Sequence, residues 1–73
     1  MDITSLKVGM SGIISQIVGG DDLSIQLEEM GFVPGCEISI VSRGPFAGPV
    51  ALAVRGTTIA LRRSEASRIK IGS

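Results

Sequence analysis

The chain has 73 residues, a formal net charge of zero and a hydrophobic share of 44%. This suits one small domain, which buries roughly 60% of the surface its unfolded chain exposes. A lone cysteine, Cys36, excludes an internal disulfide framework, and zero net charge gives no global attraction to nucleic acid. The start, MDITSLKVG, has neither a basic lead nor a long apolar run, and no segment nears the ~20 apolar residues of a membrane span. The expectation is a soluble, cytoplasmic protein with no direct membrane insertion.

Residues 1–10 carry Leu6, Val8 and Met10 and are punctuated by Gly9 and Gly12, which predicts a short lead-in with one helical turn begun by Thr4 or Ser5. The β-branched run from Ile13 to Val18 predicts a first strand. Ile14 and Ile17 cannot both face inward on a regular strand, so a bulge is expected near Ser15-Gln16. Gly19-Gly20 breaks the strand, and Asp21 or Asp22 caps a helix whose buried stripe is Leu23, Leu27 and Met30. Glu28 and Glu29 fall in its last turn, where the helix dipole opposes each by roughly 0.3–1 kcal/mol. They are expected to seek cationic neighbours among the later arginines.

The stretch from Leu27 to Val41 is the most informative. Gly31 stands where a helix ends in the left-handed region, and Phe32 and Leu27 form the apolar pair of a Schellman ending. Val33-Pro34-Gly35-Cys36 matches a type II turn, with Pro34 fixing φ and Gly35 supplying positive φ. Cys36, Ile38 and Ile40 then alternate with polar residues as a half-buried strand. After it, Arg43 to Pro49 (RGPFAGP) reads as a long loop rather than a tight hairpin turn. Val50, Leu52 and Val54, then Ile59 and Leu61, predict an antiparallel hairpin turned by Gly56-Thr57. Arg63 to Ala66 reads as a single helical turn, and Ile69 and Ile71 as a last short strand. The predicted fold is mostly β: about five short strands in a small closed sheet, with one α-helix between strands 1 and 2, in a single domain over residues 1–73.

Charge is segregated along the chain. Asp2, Asp21, Asp22, Glu28, Glu29 and Glu37 precede Arg43, Arg55, Arg62, Arg63, Arg68 and Lys70, with only Lys7 and Glu65 out of place. Mutual neutralisation is the expectation. Catalysis lacks its parts, because there is no His or Tyr and no serine spaced with a base. A metal site would have to draw on Cys36 with Glu28, Glu29, Glu37 or the Asp21-Asp22 pair. Cys36 alternates in phase with Ile38 and Ile40, which favours a packing role, so no metal ligands and no cofactor are assigned. Nucleic-acid binding through the basic second half would lack the surface aromatics that stack bases. The best functional candidates are Arg43, Pro45, Phe46 and Pro49. Proline and glycine restrict that segment; two readings stay open, a rigid connector whose Phe46 folds back onto the core and a docking loop that holds Phe46 out while Arg43 steers it toward an acidic partner.

Four motifs in order, LxxG at Leu6–Gly9, LxxMGFxPG at Leu27–Gly35, GPxxGP at Gly44–Pro49 and IALRRxEA at Ile59–Ala66, together resemble the FeoA family. The resemblance implies an SH3-like β-barrel and a non-enzymatic adaptor of bacterial ferrous iron uptake. It also implies a partner, the cytosolic GTP-binding portion of the FeoB GTPase-permease. A weak homo-oligomer is left open. The same barrel occurs at the C-terminus of DtxR-type iron-dependent repressors, so the alternative is a stand-alone SH3-like regulatory or nucleic-acid-associated module.

Overall fold

The computed structural model describes residues 1–46 and 48–72. A 3-10 turn (Ile3–Ser5) leads into β1 (Ser11–Ile17), α1 (Asp22–Glu29), β2 (Glu37–Arg43), β3 (Val50–Val54), β4 (Thr57–Leu61), α2 (Arg63–Ala66) and β5 (Ile69–Gly72). The strands form one antiparallel sheet in the order β4-β3-β2-β1-β5, with α1 between the first two strands as predicted. The expected closure is incomplete. Leu61, Ile69 and Ile71 share one core, but β4 and β5 stand at opposite edges of the hydrogen-bonded order.

Apolar alternation explains the core. Val50, Leu52 and Val54 point inward and are buried, and they meet Ile38, Ile40, Leu61, Ile14, Ile69, Leu27, Phe32 and Ile3. The expected bulge in β1 falls between Ile14 and Gln16, where the register with β5 shifts. It lets Ile14 be buried while Ile17 still packs against the core. A second shift, between Ile40 and Ser42, bends β2 against β3.

The helix-to-strand corner is built as predicted. Gly31 has φ +111°, its N–H donates to the Glu28 carbonyl at 3.0 Å, and the Phe32 N–H donates to the Leu27 carbonyl at 3.0 Å. That is the paired bonding of a Schellman ending. Gly35 has φ +92° and the Cys36 N–H donates to the Val33 carbonyl at 3.1 Å, closing the turn through Pro34. The Gly35 N–H also donates to the Ile14 carbonyl at 2.8 Å, and the Ile14 N–H to the Cys36 carbonyl at 2.9 Å. The corner is thereby tied directly to β1.

Several expectations are corrected. The first turn begins at Ile3, not at Thr4 or Ser5. Asp2 caps it, because its carboxylate accepts from the Thr4 N–H at 2.8 Å and also from the Thr4 hydroxyl. Met30 is exposed, because the reversal at Gly31 places Phe32 beside Leu27 instead. Ser24 is buried in its stead, with its hydroxyl donating to the Asp21 carbonyl at 2.7 Å. Val54 pairs with Thr57, so the β3–β4 turn is Arg55-Gly56, not Gly56-Thr57. Both turn residues have positive φ, +51° and +78°. This is the two-residue type I′ form whose twist matches the strands, and it holds even though arginine is an unusual turn residue.

Candidate docking surface

The described residues of the segment from Gly44 to Pro49, all but Ala47, close on one another as a turn rather than a long open loop. The Gly44 N–H donates to the Pro49 carbonyl at 2.8 Å, and the Gly48 N–H donates to the Pro45 carbonyl at 3.0 Å. The two Gly-Pro pairs interlock. A Cβ on Gly44 would sit 3.2 Å from Pro49 Cδ, and one on Gly48 would sit 2.9 Å from the Pro45 carbonyl oxygen. Close approach to backbone oxygen makes glycine a requirement at 48, while at 44 a side chain would crowd Pro49. Pro45 and Pro49 are exposed on this turn.

Phe46 projects from the turn with its side chain wholly exposed, at 102% of the reference value. Its backbone has φ +56°, a region that non-glycine residues avoid. Thus the fold gains no burial from the ring and bears the backbone cost of seating it. The alternative in which Phe46 returns to the core is not what the structure contains.

Arg43 is placed differently from Phe46. Its guanidinium turns back onto the 3-10 turn, where Nη2 donates to the Thr4 carbonyl at 2.6 Å and also to the Leu6 carbonyl. Its Nε is buried without a partner among the described residues. Arg43 braces the N-terminal segment against the end of β2, so its guanidinium is turned toward backbone carbonyls rather than held out beside Phe46. Sequence reasoning missed this because the bonds span 39 and 37 residues, with no local signal.

The charges neutralise only in part. Arg68 pairs with Asp21 at 2.6 Å, joining the start of β5 to the cap of α1, and Lys70 lies 3.9 Å from Asp2. The hydrogen bond from Arg68, with help from the Ser24 N–H, lowers the Asp21 pKa, and Asp21 in turn raises that of Arg68. The Thr4 hydroxyl is the main cause lowering the Asp2 pKa. The pairing expected for Glu28 and Glu29 is not among the ion pairs of the described residues. Arg55 does run beside the corner, with Cδ 3.9 Å from where a Gly31 Cβ would stand. Cys36 is half-buried against the core, and no cluster of three or more His, Cys, Asp or Glu occurs among the described residues. No helix among them is long and apolar enough to cross a membrane.

Comparison with known proteins adds context to this geometry. The FeoA domain model matches residues 1–72. The chain is 30% identical, over 97% of its length, to an Fe(2+) transport protein A/Fe(2+) transporter FeoB fusion protein of Porphyromonas gingivalis, and spans only 8% of that protein. Among solved structures it resembles FeoA of Stenotrophomonas maltophilia, an SH3-domain protein complexed with zinc. That match is 32% identical with a TM-score of 0.87, covering 99% of this chain and 89% of the other. It also resembles iron(II) transport protein A of Clostridium thermocellum, at 34% identity and a TM-score of 0.91, covering 97% of this chain and 44% of that one. A manganese-dependent transcriptional repressor matches at 20% identity with a TM-score of 0.87, which shows a shared fold and nothing more.

Proposed function

The chain belongs to the FeoA domain family, non-catalytic accessory proteins of ferrous iron transport with an SH3-like fold, and from that premise we propose that it works as a cytoplasmic adaptor. In this reading it binds the cytosolic GTP-binding portion of a FeoB-type transporter and modulates ferrous iron uptake. The joining of the two parts in one polypeptide of P. gingivalis supports the choice of partner, since fused segments work at high effective concentration.

The observation that carries the docking role is Phe46. A wholly exposed ring on a turn locked by two backbone hydrogen bonds offers contact area at little entropic cost. Pro45 and Pro49 flank it and restrict the turn before a partner arrives. Arg43 contributes by bracing the strand from which the turn departs.

Co-purification from native membranes tests the proposal. Tagged protein should retain a polytopic GTPase, and Phe46→Ala should retain much less of it. Recovery of an RNA or a DNA-binding repressor in place of the GTPase would favour the regulatory-module reading instead.

A further inference from the structure

The two edges of the sheet differ. The outer side of β5 is covered by the N-terminal residues: Asp2 bridges to Lys70, and the Ile71 N–H donates to the Met1 carbonyl at 2.9 Å. The outer side of β4 has no such cover among the described residues. Because Val54 and Thr57 flank a two-residue turn, they form a hydrogen-bonded pair, and the alternation makes Ala53–Thr58 and Ala51–Ala60 non-hydrogen-bonded pairs. The N–H and C=O of Thr58 and Ala60 therefore point away from β3, and none of them takes part in a further backbone hydrogen bond among the described residues. Thr57, Thr58 and Ala60 are exposed, while Ile59 packs inward.

Among the described residues nothing blunts this edge. The TTIAL strand holds no proline, lysine or other charge, and its five pairs with β3 run without a register shift, unlike both bulged ladders. Natural sheets normally guard such an edge, so an unguarded one is a template for an added strand. At the upper end Glu65 accepts the Arg62 N–H at 2.9 Å, which ends the free ladder. Arg55 lies at one end of β4 and Arg62 and Arg63 at the other; all three are exposed and form no ion pair among the described residues.

We propose that the open edge of β4 takes up an extended acidic segment of a partner protein by strand addition, with Thr58 and Ala60 supplying the ladder and Arg55, Arg62 and Arg63 gripping its ends. Charge selects this occupant over a second copy of the chain. The antiparallel register that joins Thr58 of one copy to Ala60 of another brings the Arg55 end of each against the Arg62–Arg63 end of its mate, so like charges meet twice. An acidic strand meets arginine at both ends instead. The inference deepens the adaptor reading by naming a second contact surface, and it stands on geometry separate from Phe46.

The probe is a designed peptide, EEVTVTEE, against its lysine counterpart KKVTVTKK, followed by amide shifts and hydrogen exchange. The acidic peptide should protect the Thr58 and Ala60 amides, and the lysine form should not. Ala60→Pro removes one outward N–H without touching the β3 ladder and should weaken the acidic peptide by about tenfold or more. The double variant Arg62→Glu, Arg63→Glu keeps the backbone edge and should shift the preference toward the lysine peptide. Equal binding of both peptides, shifts confined elsewhere, or concentration-dependent protection of the same amides without peptide would overturn the proposal. So would an oligonucleotide that binds the arginines while displacing the acidic peptide from an unprotected edge. If the transporter is retained equally by Ala60→Pro and the unaltered protein, the edge proposal fails while the adaptor reading stands. If peptide binding follows the pattern above but no transporter is retained, the reverse holds.

Discussion

The two phenylalanines sit in segments made of the same ingredients and have opposite fates. Phe32 follows Gly31 and precedes Pro34-Gly35; Phe46 follows Gly44-Pro45 and precedes Gly48-Pro49. In the first segment the glycines take the positive φ values, +111° and +92°, and the ring is fully buried. In the second the phenylalanine itself takes positive φ, and its ring is fully exposed. The first arrangement is accounted for by stability, because each unusual torsion serves to bury Phe32 beneath α1. The second is not, because a strained backbone works against the folded state and an unburied ring contributes nothing to it. The difference separates what holds this domain together from what it offers to others.

Truncating the buried ring should have the largest effect. Phe32→Ala should cost about 3–5 kcal/mol, read as a shift of the urea midpoint, and for a domain this small it could prevent folding outright. Gly31→Val keeps every side-chain contact but places a β-branched residue at φ +111°, and should cost about 2–3 kcal/mol. A melt of Gly31→Val that matched the unaltered protein would break the contrast, since it would mean that the corner's torsions are not what orders it.

Arg43→Met sharpens the division from the other side. Sited next to the turn, Arg43 would affect mainly association if it were a docking residue. As a brace that donates to the Thr4 and Leu6 carbonyls, its loss should cost about 1–2 kcal/mol of stability and loosen the first turn. Exchange of the Leu6 and Gly9 amides reports that loosening.

Acid should act on the same stabilising half of the molecule, more weakly. Asp2 and Asp21 titrate lower when folded than in the unfolded chain, so the unfolded state binds more protons as the pH falls. Their contribution is complete above the ordinary aspartate pKa of about 4 and is lost as the pH drops through the folded values. Asp21→Asn keeps a competent helix cap while removing the pair with Arg68, and should flatten part of the acid limb of a stability–pH curve. High salt should reduce the difference between the two proteins.

What the sequence disclosed follows the range of the interactions concerned. The Schellman ending, the Pro34-Gly35 turn, the Asp21 cap and the alternation of Val50, Leu52 and Val54 are each written within a few residues, and each is found as expected. The β1 bulge was legible too, because two isoleucines three positions apart demanded it. Interactions between distant residues were not. The Arg43 bonds to Thr4 and Leu6 and the cover that residues 1–2 give to β5 both depend on where remote segments arrive. At the docking turn the composition was legible but its closure was not. The Gly-Pro pairs signalled a break in the chain, whereas their interlocking and the positive φ of Phe46 emerge only once β2 and β3 are paired.

The measurement that bears most directly on this division is made on Phe46→Ala, with stability and transporter binding determined on the same preparation. The melting midpoint should be unchanged or slightly raised, within about 0.5 kcal/mol, while binding to the transporter's cytosolic portion weakens by about 2 kcal/mol or more. A fall in stability comparable to that of Phe32→Ala, with affinity per folded molecule unchanged, would contradict that division.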